Sequence, residues 1–212
     1  MSIIDKLATS LDRRDEVPNQ ELAKEIVAKK DKSAVAELAD LLQNHKNKGI
    51  KADCIKTLYE IGYAEPKLIA EYFDVFVNLL TDKNNRLVWG AMTTLNTITE
   101  ERPKDMYNAL PVITEAMDKG TVITKDHGIH IMAKLATVKG WEDDAFSLML
   151  EQIQTAPENQ FPSYVEKAAE VATKNNYKRL VQIAEHRLPE LPTPAKIKRV
   201  EKVLKKLHKQ FE

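Results

Sequence analysis

The chain has 212 residues, with 32 Lys+Arg against 32 Asp+Glu, so its formal net charge is zero. A nucleic-acid binder usually shows a basic excess, because its affinity comes mainly from displacing counterions from phosphates, and that excess is missing overall here. With 43% hydrophobic and 30% charged residues, the composition suits a folded, water-exposed protein rather than a disordered one.

Along the chain, apolar residues recur at spacings of three and four, the helix period. Glycines and prolines stand between these stretches, among them Pro18, Gly49, Gly62, Pro66, Pro103, Gly120, Gly140, Pro157 and Pro194. Proline lacks an amide hydrogen and disrupts a helix interior, so it marks first turns and boundaries. The pattern predicts helices over 3–12 and 19–29, 32–45 and 50–62, 66–81 and 85–100, 103–118 and 123–138, 142–155 and 162–174, and 177–188 and 194–210. The β-branched run Thr121–Thr124 has no partner strand and reads as a loop and helix start. Short connections make the two helices of each pair antiparallel. No shift of composition divides the chain, so 1–212 is expected to be one domain.

Two of these stretches echo each other. Leu58 and Ile61 precede Glu65, Pro66 and Lys67; 37 residues on, Leu95 and Ile98 precede Arg102, Pro103 and Lys104. A fixed spacing in the thirties on a helical background is the signature of a stacked solenoid. On this spacing, on Pro66 and Pro103 opening successive first helices, and on apolar columns in the second helices, the chain resembles HEAT-type repeat proteins of the HEAT/armadillo class. The resemblance covers roughly residues 32–175. It implies an all-α fold, a right-handed α-α superhelix of about five to six antiparallel helix pairs. The Asp and Arg common in the turn and second helix of such repeats occur together only once here, as Asp82 and Arg86.

Aligned on Leu58, Leu95, Leu135 and Val171, the second helices show three wholly apolar columns and one nearly so: Ile55, Met92, Met132, Ala168; Ile61, Ile98, Val138, Lys174; and Ala52, Trp89, Ile129, Val165. These are expected to form the core. The remaining columns are polar. In HEAT proteins second helices line the concave face, so the resemblance places Asp53, Lys56, Thr93, Thr94, Thr97, His130, Lys134, Glu166 and Glu170 in the groove. That groove has a threonine-rich centre and more carboxylates than lysines, which suits a protein or peptide better than duplex DNA.

Other chemistry is sparse. His127 and His130, beside Asp126, share a helix face but have no third ligand at a recognisable spacing, so neither a metal nor a cofactor is expected. Cys54 is the lone cysteine; it can form no internal disulfide, and no base partner is evident for it. Trp89 lies in an apolar column and reads as packing; Trp141 opens the fifth pair. No glycine-rich phosphate loop, nucleophile elbow or paired-cysteine site is present. The chain starts with charge at Asp5 and Lys6 and has no apolar run near the ~20 residues of a membrane span, so a cytoplasmic location is expected.

Helix 194–210 stands apart. It carries Lys196, Lys198, Arg199, Lys202, Lys205, Lys206 and Lys209 against Glu201 alone, and leaves 25 basic and 31 acidic residues elsewhere. Its apolar stripe of Ile197, Val200, Val203, Leu204, Leu207 and Phe211 reads as that of a solenoid cap. The leading functional expectation is a non-catalytic scaffold or adaptor that binds a protein or peptide. Two alternatives stand beside it. HEAT-like alkylpurine DNA glycosylases have a solenoid of similar length, with Trp89 and Arg86 as the matching residues. Nucleic acid could instead bind through the basic end helix.

Overall fold

The structure, a computed structural model, describes residues 2–212. Among the described residues it is helical throughout and has no strand. The chain forms two compact units, one ending at Gly128 and one running Ile129–Glu212.

The first unit opens with a 3₁₀ turn at Ile3–Lys6. It continues through α1 (Val17–Lys29), α2 (Lys32–Asn44), α3 (Lys48–Ala64), α4 (Phe73–Leu79), α5 (Asn85–Ile98), α6 (Pro103–Asn108) and α7 (Leu110–Lys119), and takes in the start of α8 (Val122–Leu135). Local chemistry sets several of the starts. Asp31, Asn47 and Asn84 each accept a hydrogen bond from an early backbone N–H of α2, α3 and α5, at 3.0, 2.8 and 3.1 Å, satisfying donors that have no partner within the helix.

Three predicted first helices come out differently. Over 3–12 only the 3₁₀ turn forms, and the chain swings away at Asp12, whose φ of 52° is left-handed. Residues 66–81 become two 3₁₀ turns, Pro66–Leu68 and Ala70–Tyr72, leading into α4. Residues 103–118 break at Ala109 into α6 and α7. There Pro111 cannot donate to the ladder of the preceding turn.

Helix α3 is the hub of this unit, packed against α1, α2 and α5. Every residue from Ala52 to Tyr59 is buried. The anticipated core columns close around it: Leu58, Ile61, Met92, Leu95 and Ile98 are fully enclosed. Two glycines let α3 and α5 approach closely. A Cβ on Gly90 would lie 2.8 Å from Ile55, and one on Gly62 would run into the Thr97 hydroxyl.

The second unit holds the rest of α8 with α9 (Glu142–Gln154), α10 (Phe161–Val171), α11 (Tyr177–Arg187) and α12 (Pro194–Phe211). Phe146, Phe161, Leu180, Val200 and Leu207 fill its core. Arg187 ties the end of α9 down: its guanidinium donates to the carbonyls of Ile153 and Ala156 at 3.0 and 2.8 Å and lies over the Phe161 ring at 4.5 Å. Helix α12 packs on α10 and α11 through Val200, Val203, Leu204 and Leu207, all buried, and Phe211 stacks on Tyr177 with centroids 4.8 Å apart. The outer members of the core columns, Val138 and Lys174, fall beyond the ends of α8 and α10 and leave the core.

Candidate functional site

The polar positions expected in the groove divide sharply. On α3 and α5, Asp53, Lys56, Thr93 and Thr94 are buried, and Thr97 is half-buried. The reason is lateral packing: α3 and α5 lie side by side, so their flanking positions meet a neighbouring helix instead of water. Thr93 donates to the Trp89 carbonyl, Thr94 to Gly90 and Thr97 to Thr94, at 2.8, 2.8 and 2.7 Å. These hydroxyls are consumed by their own helix backbone and offer little to a partner.

Asp53 is also used inside the fold. Its carboxylate accepts the Thr9 backbone N–H at 2.7 Å and the Asn19 side-chain amide at 2.8 Å, while Asn19 accepts the Ala8 N–H at 3.0 Å. This pins the opening segment and α1 onto α3. Beside it is a shallow cleft of about 240 Å³ rimmed by Arg13, Arg14, Asp15 and Arg86.

Lys56 stands at the centre of an ionic and aromatic cluster. Its side chain is only 8% exposed, with its ammonium 2.6 Å from Glu60 and 3.0 Å from Glu16. Glu16 also accepts from Arg86 at 2.9 Å. Burial disfavours the charge on Lys56, but Glu60, Tyr59 and Glu16 more than offset it, so its pKa is raised. The ammonium lies 4.7 Å from the centre of the Tyr59 ring. Tyr59 in turn meets Tyr63 edge-on at 6.0 Å and Trp89 at 6.1 Å. Trp89 is half-buried on Tyr59, not sealed in the core. Tyr63 is 58% exposed. With Glu60 and Ala23, Val27, Ala28 and Ala64, it lines a cleft of about 370 Å³ between α1 and α3.

Tyr59, Tyr63 and Glu16 were not among the sequence candidates. The tyrosines were legible, since aromatics at i and i+4 with Lys56 three residues before share one helix face. Glu16 was not, because it reaches the cluster from a separate helix start. Arg86 pairs with Glu16, and Asp82 instead accepts the Asn84 N–H at 2.6 Å.

In the second unit His130 and Glu170 are exposed, while Lys134 and Glu166 are half-buried. Glu166 takes a bidentate pair from Arg199 at 2.9 and 2.6 Å, and Glu170 pairs with Lys167 at 2.6 Å. Among the described residues no three His, Cys, Asp or Glu side chains converge as metal ligands. His127 hydrogen-bonds Asn96 at 2.9 Å. Cys54 is wholly enclosed, and burial together with Asp53 and Glu37 pushes its thiol up to about 12, which suppresses the thiolate that nucleophilic chemistry requires. Among the described residues no helix is long and apolar enough to cross a membrane.

No family model and no curated protein matches the chain. Among solved structures, it is similar to an engineered protein from the Northeast Structural Genomics Consortium. The TM-score is 0.65 at 16% identity, over 99% of this chain and 98% of that one. A likeness at that identity concerns the backbone fold and carries no activity with it.

Proposed function

We propose that this chain is a non-catalytic HEAT-type scaffold, a right-handed superhelix of helix pairs that docks a protein or peptide partner. The docking face is the one built by Tyr59, Tyr63 and Trp89 inside the ionic chain Glu60, Lys56, Glu16 and Arg86. The observation that carries this reading is Tyr63. A large aromatic ring stands mostly in solvent, braced by a second ring and bordering an apolar cleft. Tyr, Trp and Arg are the residues enriched at the energetic centres of protein interfaces, because they bury much area with little loss of side-chain freedom. The groove itself works differently from the sequence-based expectation. The threonine hydroxyls bond back to their own helix α5, Asp53 ties the opening segment and α1 to α3, and the partner meets the aromatic edge.

The test is affinity capture from a native lysate with the wild-type chain and with Tyr63→Ala and Arg86→Glu variants. Both side chains are substantially exposed, so the variants are expected to fold. The reading predicts a partner held by the wild type and lost by both variants, with a cost of about 2 kcal/mol for the aromatic anchor. A partner retained equally by all three proteins would count against it.

A further inference from the structure

Five lysines of α12 form no ion pair among the described residues, and Glu201 is the one carboxylate interspersed among them. Lys198, Lys202, Lys205, Lys206 and Lys209 are exposed, and none makes an ion pair or hydrogen bond among the described residues. Elsewhere Lys6, Lys29, Lys56, Lys119 and Lys167 pair with a glutamate, and exposed lysines without an ion pair, such as Lys32, Lys46 and Lys48, do not build a row of this length on one helix face. On α12 itself Arg199 is taken by Glu166 and His208 faces Glu212 and Glu185. The unpaired lysines are not scattered. At 3.6 residues per turn, Lys198, Lys202, Lys205 and Lys209 fall within roughly 60° of arc and form a row about 16 Å long, with Lys206 beside it. The buried stripe of Val200, Val203, Leu204 and Leu207 is centred on the opposite side. The row therefore points directly away from the unit, on a helix that its apolar face holds in place.

We propose that this row is a docking ridge for the sugar-phosphate backbone of a nucleic-acid duplex, bound without sequence preference. Lysines are point charges on flexible stems and lack the planar fork of arginine, so they suit a diffuse polyanion better than one fixed carboxylate. A row of about 16 Å spans some five phosphate steps of one strand at ~3.4 Å each. A bilayer fits less well. The apolar stripe that would insert is already buried, and none of the exposed large apolar side chains belongs to the second unit. A single strand fits less well too, since the ridge offers no aromatic ring for base stacking and Phe211 is occupied by Tyr177. The neutral charge of the whole chain is no obstacle, because the seven basic residues of this helix face one glutamate.

The experiment is fluorescence anisotropy of the full chain with a labelled duplex of about 20 base pairs between about 50 and 200 mM salt, where counterion release governs affinity. The log–log salt slope is expected near −4, at about −0.9 per neutralised phosphate. Reversing Lys202, Lys205 and Lys209 to Glu should weaken binding at least about tenfold at the lowest salt and flatten the slope by about three. Reversing the exposed Lys32, Lys46 and Lys48 should leave binding unchanged. Circular dichroism and melting confirm that each variant is folded. Absence of duplex binding at the lowest salt, or binding that the ridge variant keeps, overturns the proposal. So does ridge-dependent binding that is tighter for phosphatidylserine vesicles or polyglutamate than for the duplex.

Discussion

Helices of the two units use the same residue types for different ends. On α3 and α5 the polar positions Asp53, Lys56, Thr93 and Thr94 are buried and satisfied by the chain itself. On α10 the corresponding Glu166 and Glu170 stay at the surface and pair with Arg199 and Lys167. The difference lies in coverage. Helix α3 has α1, α2 and α5 around it as well as the opening segment, so even its flanks are enclosed. A carboxylate enclosed in this way must be hydrogen-bonded, and its loss strands other groups. A carboxylate at the surface is screened by water and contributes little. The contrast teaches that a polar column on a helix is not by itself a binding surface.

This contrast can be broken by mutation. The largest effect is expected in the core of the first unit. Leu95→Ala removes a fully enclosed side chain and should cost about 2–5 kcal/mol in denaturant unfolding. Asp53→Ala leaves the Thr9 N–H and the Asn19 amide without an acceptor, and should cost about 1.5–3 kcal/mol. Gly62→Ala forces a methyl group against Thr97 at the α3–α5 contact and is expected to cost about 1–3 kcal/mol by overpacking. Glu166→Gln breaks a pair whose partners are 48% and 38% exposed, so its effect should stay below about 1 kcal/mol. If Glu166→Gln proved as costly as Asp53→Ala, the distinction between enclosed and surface columns would fail.

The smallest effect concerns pH. Hydrogen bonds from Lys29 and then Lys6 hold the Glu25 carboxyl at about 2, below its ordinary 4.5. A depressed carboxylate stabilises the fold fully above its unfolded pKa, and that contribution fades as pH falls from about 4.5 toward 2. Carboxyl-carbon NMR should place its titration midpoint near 2; a midpoint at 4.5 would show that the lysines do not engage it.

The all-helical class and most helix positions were legible from periodicity, since α2, α3, α5, α9, α11 and α12 begin within two residues of the predicted starts. The core columns were also legible, because a buried stripe repeats every turn. What sequence could not show was the side-by-side packing of α3 and α5, which depends on how closely Gly62 and Gly90 let the backbones approach. That packing, with the opening segment and α1 over Asp53, buried four residues expected in the groove. The opening segment departs from its helical spacing for a related reason: Leu7 and Ala8 are held by packing and by Asn19 rather than by a continuing helix.

The docking face is tested most directly by site-specific photo-crosslinking. A photoreactive phenylalanine, which keeps the aromatic ring, is placed at Tyr63, and in a second protein at the exposed Ala36 of α2. The scaffold reading predicts a discrete protein adduct from position 63, lost when Arg86 is changed to Glu, and none from position 36. The absence of any protein adduct at 63, or equal adducts from both positions, would contradict it.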